Sequence, residues 1–338
     1  MVNSDEETSQ VEQNLYNITK ETCELPNAYP YKISGTTKVT GLIGHPVSHS
    51  LSPKMQNAAF HYCGLDICYL PFDVCPDELE KAMVGIRALG LLGVNITIPH
   101  KVRAAEIVDE LSPEAHASNA INTVINYEGR LIGYNTDIQG ILDAIKHDVG
   151  MSLKSKTAVV AGAGGAARAA IYAMAKAGCS QIVVVNRTFS KAFDLCRIMK
   201  QAISTPDPKK SGHDKTEPVE NCPELTPGKL CELHSIANSL DFDIFINATP
   251  LGLVERTNPF PELINCKGRP LVCDLTYTPK GTPLILEASC KGFPTIDGRS
   301  ILVWQGAESF ELWTGQKAPV EAMKKAVSLY PSEERRDL

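Results

Sequence analysis

No stretch of this 338-residue chain stays apolar over the roughly 20 residues that a bilayer-spanning helix needs, so a membrane span is not expected. The first residues lack the charged-then-apolar pattern of a secretory leader, and a cytoplasmic location is the expectation. Cysteine itself is plentiful, at 11 residues, but the count is odd and no two stand in a CxxC pair. Neither a zinc ribbon nor a redox motif has its spacing. Cys63, Cys68 and Cys273 have mostly apolar neighbours, which reads as buried free thiols in a reducing compartment. The 8 histidines show no HxH or HExxH spacing, so no metal site is expected. Excess positive charge is missing too. A net charge of −6 offers no electrostatic footprint for nucleic acid or an anionic membrane. Internal repeats and low-complexity tracts are also absent.

What is present is ordinary for a globular protein, with 43% hydrophobic and 21% charged residues. The length suits two domains, each able to bury a core. Monomer and homodimer are both open.

The chain is organised around TAVVAGAGGAARAAIYAMAKAGCSQIVVVNRT, residues 157–188. A short β-branched run is followed by Gly162-Ala163-Gly164-Gly165-Ala166, an alanine-rich helical stretch ended by Gly178, and a second apolar run over 181–185. This is the pattern of the first βαβ unit of a dinucleotide-binding fold. One glycine allows the turn, the next lets backbone approach a pyrophosphate, and Ala167 stands where a third glycine often sits. The helix N-terminus offers unpaired N–H groups to phosphate. At the end of the second strand an acidic residue would select NAD by accepting from the adenosine 2′-hydroxyl. Here Asn186-Arg187-Thr188 stands instead, with Lys191 one turn on. A guanidinium and an ammonium suit a 2′-phosphate, so NADP is expected. A merely solvated Arg187 is the plainer alternative.

Residues 1–36 are polar and acidic, and read as a poorly ordered tail with a short helix near 11–18. A strand over 38–43 runs into GHPVSHSLSP, where Ser52-Pro53 reads as a helix cap followed by proline at the first helical position. Ser50 and Ser52 alternate in this loop and their hydroxyls either enter a site or serve the turn. Strand 67–74, helix 76–89 and strand 93–98 follow, ending at Pro99-His100-Lys101. Alternating elements predict a mostly parallel sheet, with ligands beyond the carboxyl ends of its strands. Asn95, Thr97 and Lys101 fall at one such end. A lysine in the first turn of a helix opposes the dipole, which suggests catalysis as a reason for it, a surface lysine being the default. Asn122 and Asp137 lie at loop positions that could face it. Asp137 also suits a cap for a helix over 138–149. Residues 204–230 are rich in Pro, Lys, Asp, Glu and Thr and read as a surface insertion. Further strands end at Asn247-Ala248-Thr249 and Thr276-Tyr277. Gln305 sits among apolar residues in a helix over 299–314, as either a satisfied polar residue or a ligand contact.

Several motifs recur in order: SHSLSPKMQNAAF, NITIPHK, AINT, NTD, GAGGAAR, NRT, NATPLG and WQGAESFELWTG. With them the chain closely resembles the shikimate dehydrogenase family, including its quinate/shikimate branch, from about residue 38 to 328. The resemblance implies an α/β fold of two domains, a substrate domain of residues 37–138 plus 299–330 and a Rossmann-type NADP domain of 139–298. It implies NADPH-dependent reduction of 3-dehydroshikimate to shikimate. Ser50 and Ser52 would hold the substrate carboxylate, Asn95, Thr97, Asn122 and Gln305 its hydroxyls, and Lys101 and Asp137 would be the catalytic pair. Gly162, Ala163, Gly164, Gly165, Ala166 and Arg168 would bind the dinucleotide. Asn186, Arg187, Thr188 and Lys191 would surround the 2′-phosphate, and Thr249 and Tyr277 would line the nicotinamide side, with Tyr277 also near substrate. The tail and the 204–230 segment are additions to the pattern, Ser300-Ile301 replaces a more usual glycine and methionine, and His45 stands where many relatives differ. Alternatives are a quinate/shikimate dehydrogenase that accepts NAD, and a non-catalytic shikimate sensor on the same fold.

Overall fold

The computed structural model describes residues 33–204, 219, 222–254, 256–266, 268–278 and 280–327. The helix expected near 11–18, most of the tail, and residues 205–218, 220 and 221 of the expected insertion lie outside them.

Six strands, β1 (Lys38–Gly44), β2 (Ile67–Asp73), β3 (Gly93–Ile96), β4 (Glu110–Leu111), β5 (Thr123–Tyr127) and β6 (Arg130–Tyr134), form one sheet in the order β2-β1-β3-β5-β6-β4. β1 pairs in parallel with β2 and β3, and β4 with β6, while β5 runs antiparallel to both neighbours. Only β5 opposes the others, so the sheet is mostly parallel as expected. Helices α1 (Ser52–Tyr62), α2 (Leu79–Ala88), α3 (Lys101–Ile107) and α4 (Pro113–Ser118) alternate with these strands. The sequence reading passed over β4 and α4, each too short to show a period. Helix α5 (Thr136–Ala144) then leads through a π turn over Ile145–Val149 to the second half of the chain.

There β7 (Thr157–Ala161), α6 (Gly165–Lys176), β8 (Gln181–Asn186), α7 (Phe189–Ser204), β9 (Glu224–Lys229), α8 (Leu233–Ser239), β10 (Ile244–Asn247), β11 (Leu271–Asp274), α9 (Pro283–Cys290) and β12 (Thr295–Ile296) make a second, wholly parallel sheet with its covering helices. The strand order, β12-β11-β10-β7-β8-β9, is the doubly wound 3-2-1-4-5-6 arrangement. Strand β9 corrects the reading of 204–230 as loop. Glu224–Lys229 pairs residue for residue with β8 despite Pro227 and Gly228, because it is an edge strand, where a missing N–H is tolerated. Helix α6 buries Ala167, Ala169, Ala170, Ile171, Ala173, Met174 and Ala175 against this sheet. So many alanines bring the helix axis close to the strands and keep its N-terminus over the end of β7.

The last helices, α10 (Gly298–Thr314) and α11 (Val320–Val327), return to the first sheet. Phe310 stacks on Phe60 of α1 with ring centroids 5.4 Å apart, and Trp313 donates from Nε1 to the Val124 carbonyl at 3.1 Å. Each of these buried rings contributes roughly 1.5–3 kcal/mol, and together they bring Gln305, two turns earlier on α10, to the sheet's carboxyl edge. No helix among the described residues is long and apolar enough to cross a membrane.

Candidate active site

A pocket of about 130 Å³ opens beyond the carboxyl ends of β1 and β3. Ser50, Ser52, Asn95, Thr97, Lys101, Asn122, Asp137, Tyr277 and Gln305 all line it, positions spread over 256 residues of sequence (50 to 305, both included). Three backbone bonds set the register of its floor. Thr97 N donates to Ile43 O, Ile96 N to Asn122 O, and Ile121 N to Lys101 O, each between 2.8 and 2.9 Å. Lys101 opens α3 after His100 with no side-chain cap. Its ammonium meets Asp137 Oδ2 at 2.5 Å, and both side chains are only 15% exposed. At such burial salt screens the pair less than it screens a surface ion pair.

Two expected caps are not caps. Ser52 is the first residue inside α1, and the capping position falls to Leu51 with no side-chain bond. Asp137 lies inside the first turn of α5, whose cap is Asn135. Both side chains are therefore free for other work. Asp137 accepts from Lys101 Nζ on Oδ2 and from Asn122 Nδ2 on Oδ1, the latter at 2.7 Å. The Ser52 hydroxyl bonds to the Tyr69 phenol, whose pKa burial drives well above its usual value. Ser50 Oγ accepts from Ser52 N at 3.2 Å.

Behind the pocket wall lies a polar layer that sequence reasoning missed. Asn122 donates to Asp137 and to Gln305 Oε1, and its Oδ1 accepts from Thr136 N at 2.7 Å. Ser309 Oγ touches Asn95 Nδ2, Thr123 Oγ1 and Thr136 Oγ1 within 2.8–3.2 Å. Tyr69 donates to Asn95 Oδ1 at 2.8 Å. Asn95, 5% exposed, thus has its amide donors committed and keeps acceptor capacity on Oδ1 alone. Ser309 was within reach of the sequence, one helical turn from Gln305 on the same face. Tyr69, a single polar tip on a strand, carried no such signal. The Thr97 hydroxyl has no hydrogen bond among the described residues.

Tyr277 reaches the pocket from the second sheet and accepts from Leu51 N at 3.2 Å, joining the end of β11 to the serine loop. It is placed by a buried knot under β10 and β11. Asp274 accepts from Asn247, Thr276 and Thr282, and burial raises its pKa to about 6. Asn247 in turn holds the Thr249 hydroxyl at 2.6 Å. Thr249 thus faces its own strand end as much as the cleft.

The glycine turn fits a dinucleotide. Gly162 has φ +121°, and a Cβ there would stand 2.7 Å from Ala248 O, so only glycine is accommodated. A Cβ on Gly164 would meet nothing within 4 Å, which leaves its backbone open to a phosphate. Helix α6 starts without a side-chain cap, so its first N–H groups are available. Gly165 abuts Lys101, whose Cβ would lie 3.0 Å from an added Cβ, so the phosphate turn and the lysine adjoin. Arg168 lies in the first turn of α6. Its Nη1 lies 3.4 Å from Ser118 O at the end of α4 and its Nε is buried without a partner. At the end of β8, Asn186 bonds to Thr188 O, while Arg187, Thr188 and Lys191 are exposed. No ion pair involves Arg187 or Lys191 among the described residues.

Residues 42–124 match the shikimate dehydrogenase substrate-binding domain, 144–209 the shikimate/quinate 5-dehydrogenase model and 298–327 the shikimate 5′-dehydrogenase C-terminal domain. Shikimate dehydrogenase (NADP(+)) of Desulforamulus reducens is 38% identical over 298 residues, 88% of this chain and 96% of that one. The chain belongs to the shikimate dehydrogenase family. The Methanopyrus kandleri member is 40% identical over 87% of this chain and 96% of its own. Among solved family structures, a shikimate dehydrogenase in complex with NADP+ superposes with TM-score 0.76 at 36% identity, covering 89% of this chain and 98% of its own. The Thermus thermophilus enzyme in complex with NADP(H) and shikimate gives 0.70 at 33%, over 86% and 98%. Quinate dehydrogenase from Corynebacterium glutamicum in complex with NAD gives 0.72 at 25%, again over 86% and 98%. Of the family departures, Ile301 lines the pocket, Ser300 bonds to Asp148, and His45 pairs with Asp73 at 2.7 Å.

Proposed function

We propose that this chain reduces 3-dehydroshikimate to shikimate reversibly, with NADPH as the preferred cofactor. The observation that carries this is the Lys101–Asp137 pair, at 2.5 Å, set in a polyol-matched pocket against the phosphate-binding glycine turn. The matching division of labour gives residues 37–138 and 299–330 to the substrate and 139–298 to the cofactor. Bound NADPH supplies the hydride. Every other contribution belongs to the chain. Lysine is an ammonium by default at neutral pH, so Lys101 Nζ is the natural proton donor to the carbonyl oxygen in reduction and the acceptor in reverse. Asp137 fixes Nζ in place and is itself fixed by Asn122, so two of the three ammonium hydrogens are left to aim at substrate. Ser50 on the loop and Ser52 at the start of α1 hold the substrate carboxylate, with Tyr277 bonded to Leu51 between them. Thr97, Gln305 and the remaining acceptor of Asn95 are left for ring hydroxyls, and Asn122 acts mainly by holding Asp137. Arg187 and Lys191 recognise the 2′-phosphate beside Asn186 and Thr188, while Gly162, Ala163, Gly164, Gly165 and Ala166 receive the pyrophosphate, with Thr249 near the nicotinamide.

Turnover of the purified chain with shikimate and with quinate, each with NADP and with NAD, tests the reading. Expected is a kcat/KM highest for shikimate with NADP. Preference for quinate with NAD would move the chain to the quinate branch, and no turnover with any pair would leave a binding protein.

A further inference from the structure

A second cavity, about 520 Å³ against about 130 Å³ for the substrate pocket, lies on the other side of α5 and α10. Its walls come from β4, β6, α4, α5, α6 and α10, so it sits where the two halves of the molecule meet. Leu111, Ile132, Ile138 and Leu312 make one side apolar.

The polar groups facing them are unevenly satisfied. Lys176 of α6 is paired with Glu114 of α4 at 3.3 Å, so the cavity's cation is already matched. Glu308 of α10 is not matched. Its carboxyl has no hydrogen bond among the described residues, and its Oε2 is fully buried. Asn135, 6% exposed, spends its amide hydrogens on Ser118 Oγ and Ala120 O, and its Oδ1 is left without a partner. Asn135 Oδ1 is an acceptor, and the Glu308 carboxyl becomes purely one when it ionises. A buried acceptor left unmade costs about 1–3 kcal/mol, and more when charged. The complement of the wall with Glu308 ionised is a hydrogen-bond donor that carries positive charge, attached to something that covers the apolar side.

We propose that this cavity is a second binding site, for a small organic ammonium compound with an apolar body. The ammonium group lies between Glu308 and Asn135 Oδ1, and the body packs on Leu312 and Ile138. Asp137 and Gln305 stand on the same two helices, one residue and one turn away from cavity-lining side chains.

Burial raises the Glu308 pKa to about 8, and Glu114, Asp143 and Glu311 push the same way while Lys176 pulls it down. These are the charged groups of α4, α5, α10 and α6 that face it. The free protein therefore holds Glu308 largely protonated at pH 7, and an arriving ammonium ion ionises it. Binding releases a proton into solution and tightens from pH 6.5 to pH 8.5, a signature of this carboxyl.

The test titrates the whole chain calorimetrically with benzylammonium, benzyl alcohol and benzoate, in two buffers of different ionisation enthalpy. Expected is benzylammonium binding about tenfold or more tighter than either counterpart, with proton release at pH 7 and no displacement by saturating shikimate. Glu308→Gln keeps the shape and is expected to weaken benzylammonium about tenfold and abolish proton release, while Leu312→Trp fills the cavity and removes binding. Circular dichroism of both variants checks that they fold. Equal affinity for the three probes, no binding up to about 10 mM, displacement by shikimate, or an unchanged Glu308→Gln variant would each overturn the proposal.

Discussion

The two ends of the cleft are built on opposite plans. Around Lys101 and Asp137 nearly every polar atom is spoken for: Asn122, Asn95, Thr136, Ser309 and Gln305 bond to one another behind the pocket. At the end of β8, where the adenosine 2′-phosphate is proposed to bind, Arg187, Thr188 and Lys191 stand exposed, and Arg187 and Lys191 have no ion pairs among the described residues. The difference follows from the role proposed for each end. A proton donor has to be aimed before the substrate arrives, because misplacement by about 1 Å costs on the order of 100-fold in rate. A 2′-phosphate brings its own charge and needs only unspent cations that water has kept in readiness.

Four substitutions break or sharpen that contrast. Lys101→Ala removes the proposed proton donor and is expected to lower kcat by about 10²–10⁴ with KM for shikimate changed only a few-fold. A defect confined to KM in steady-state assays would make Lys101 a binding group. Asp137→Asn keeps the shape but loses the charge that holds Nζ, and a fall in kcat of about 10²-fold is expected, again by initial rates. Arg187→Ala acts only at the other end. It is expected to raise KM for NADP about tenfold or more while KM for NAD and kcat stay within about two-fold. Equal effects on the two cofactors would place Arg187 outside the 2′-phosphate site. Ser309→Ala leaves the Asn95 amide and two threonines short of a partner. It is expected to cost about 1–3 kcal/mol in urea unfolding, with kcat reduced only a few-fold. No loss of stability there would mean the polar layer is not the support described.

Much of this was legible in the chain itself. Glycines 162, 164 and 165 between two β-branched runs announce a phosphate turn because few other residues tolerate that backbone path. Arg187 in place of an acid speaks to the cofactor for an equally local reason. Lys101 could be suspected from its awkward place in a helix's first turn. Other features were misread because their cause is not local. Ser52 and Asp137 look like caps from their neighbours, yet helix starts shifted by a residue or two release them for the site. Glu224–Lys229 looks like loop from its proline and glycine, and becomes a strand only because β8 offers an edge to pair with. The contact of Arg168 with Ser118, 50 positions away, likewise had no local signal.

The amino-acid order by itself determined the alternation of elements, the phosphate turn and the chemical types available for catalysis, since these rest on backbone preference and side-chain charge over a few neighbouring residues. Only the tertiary structure decided that Lys101 meets Asp137, that Ser309 props Asn95 from a helix 214 positions away, and that Glu308 is left unmatched beside a second cavity. Those outcomes depend on which surfaces are buried against each other, and burial belongs to no single stretch of the chain.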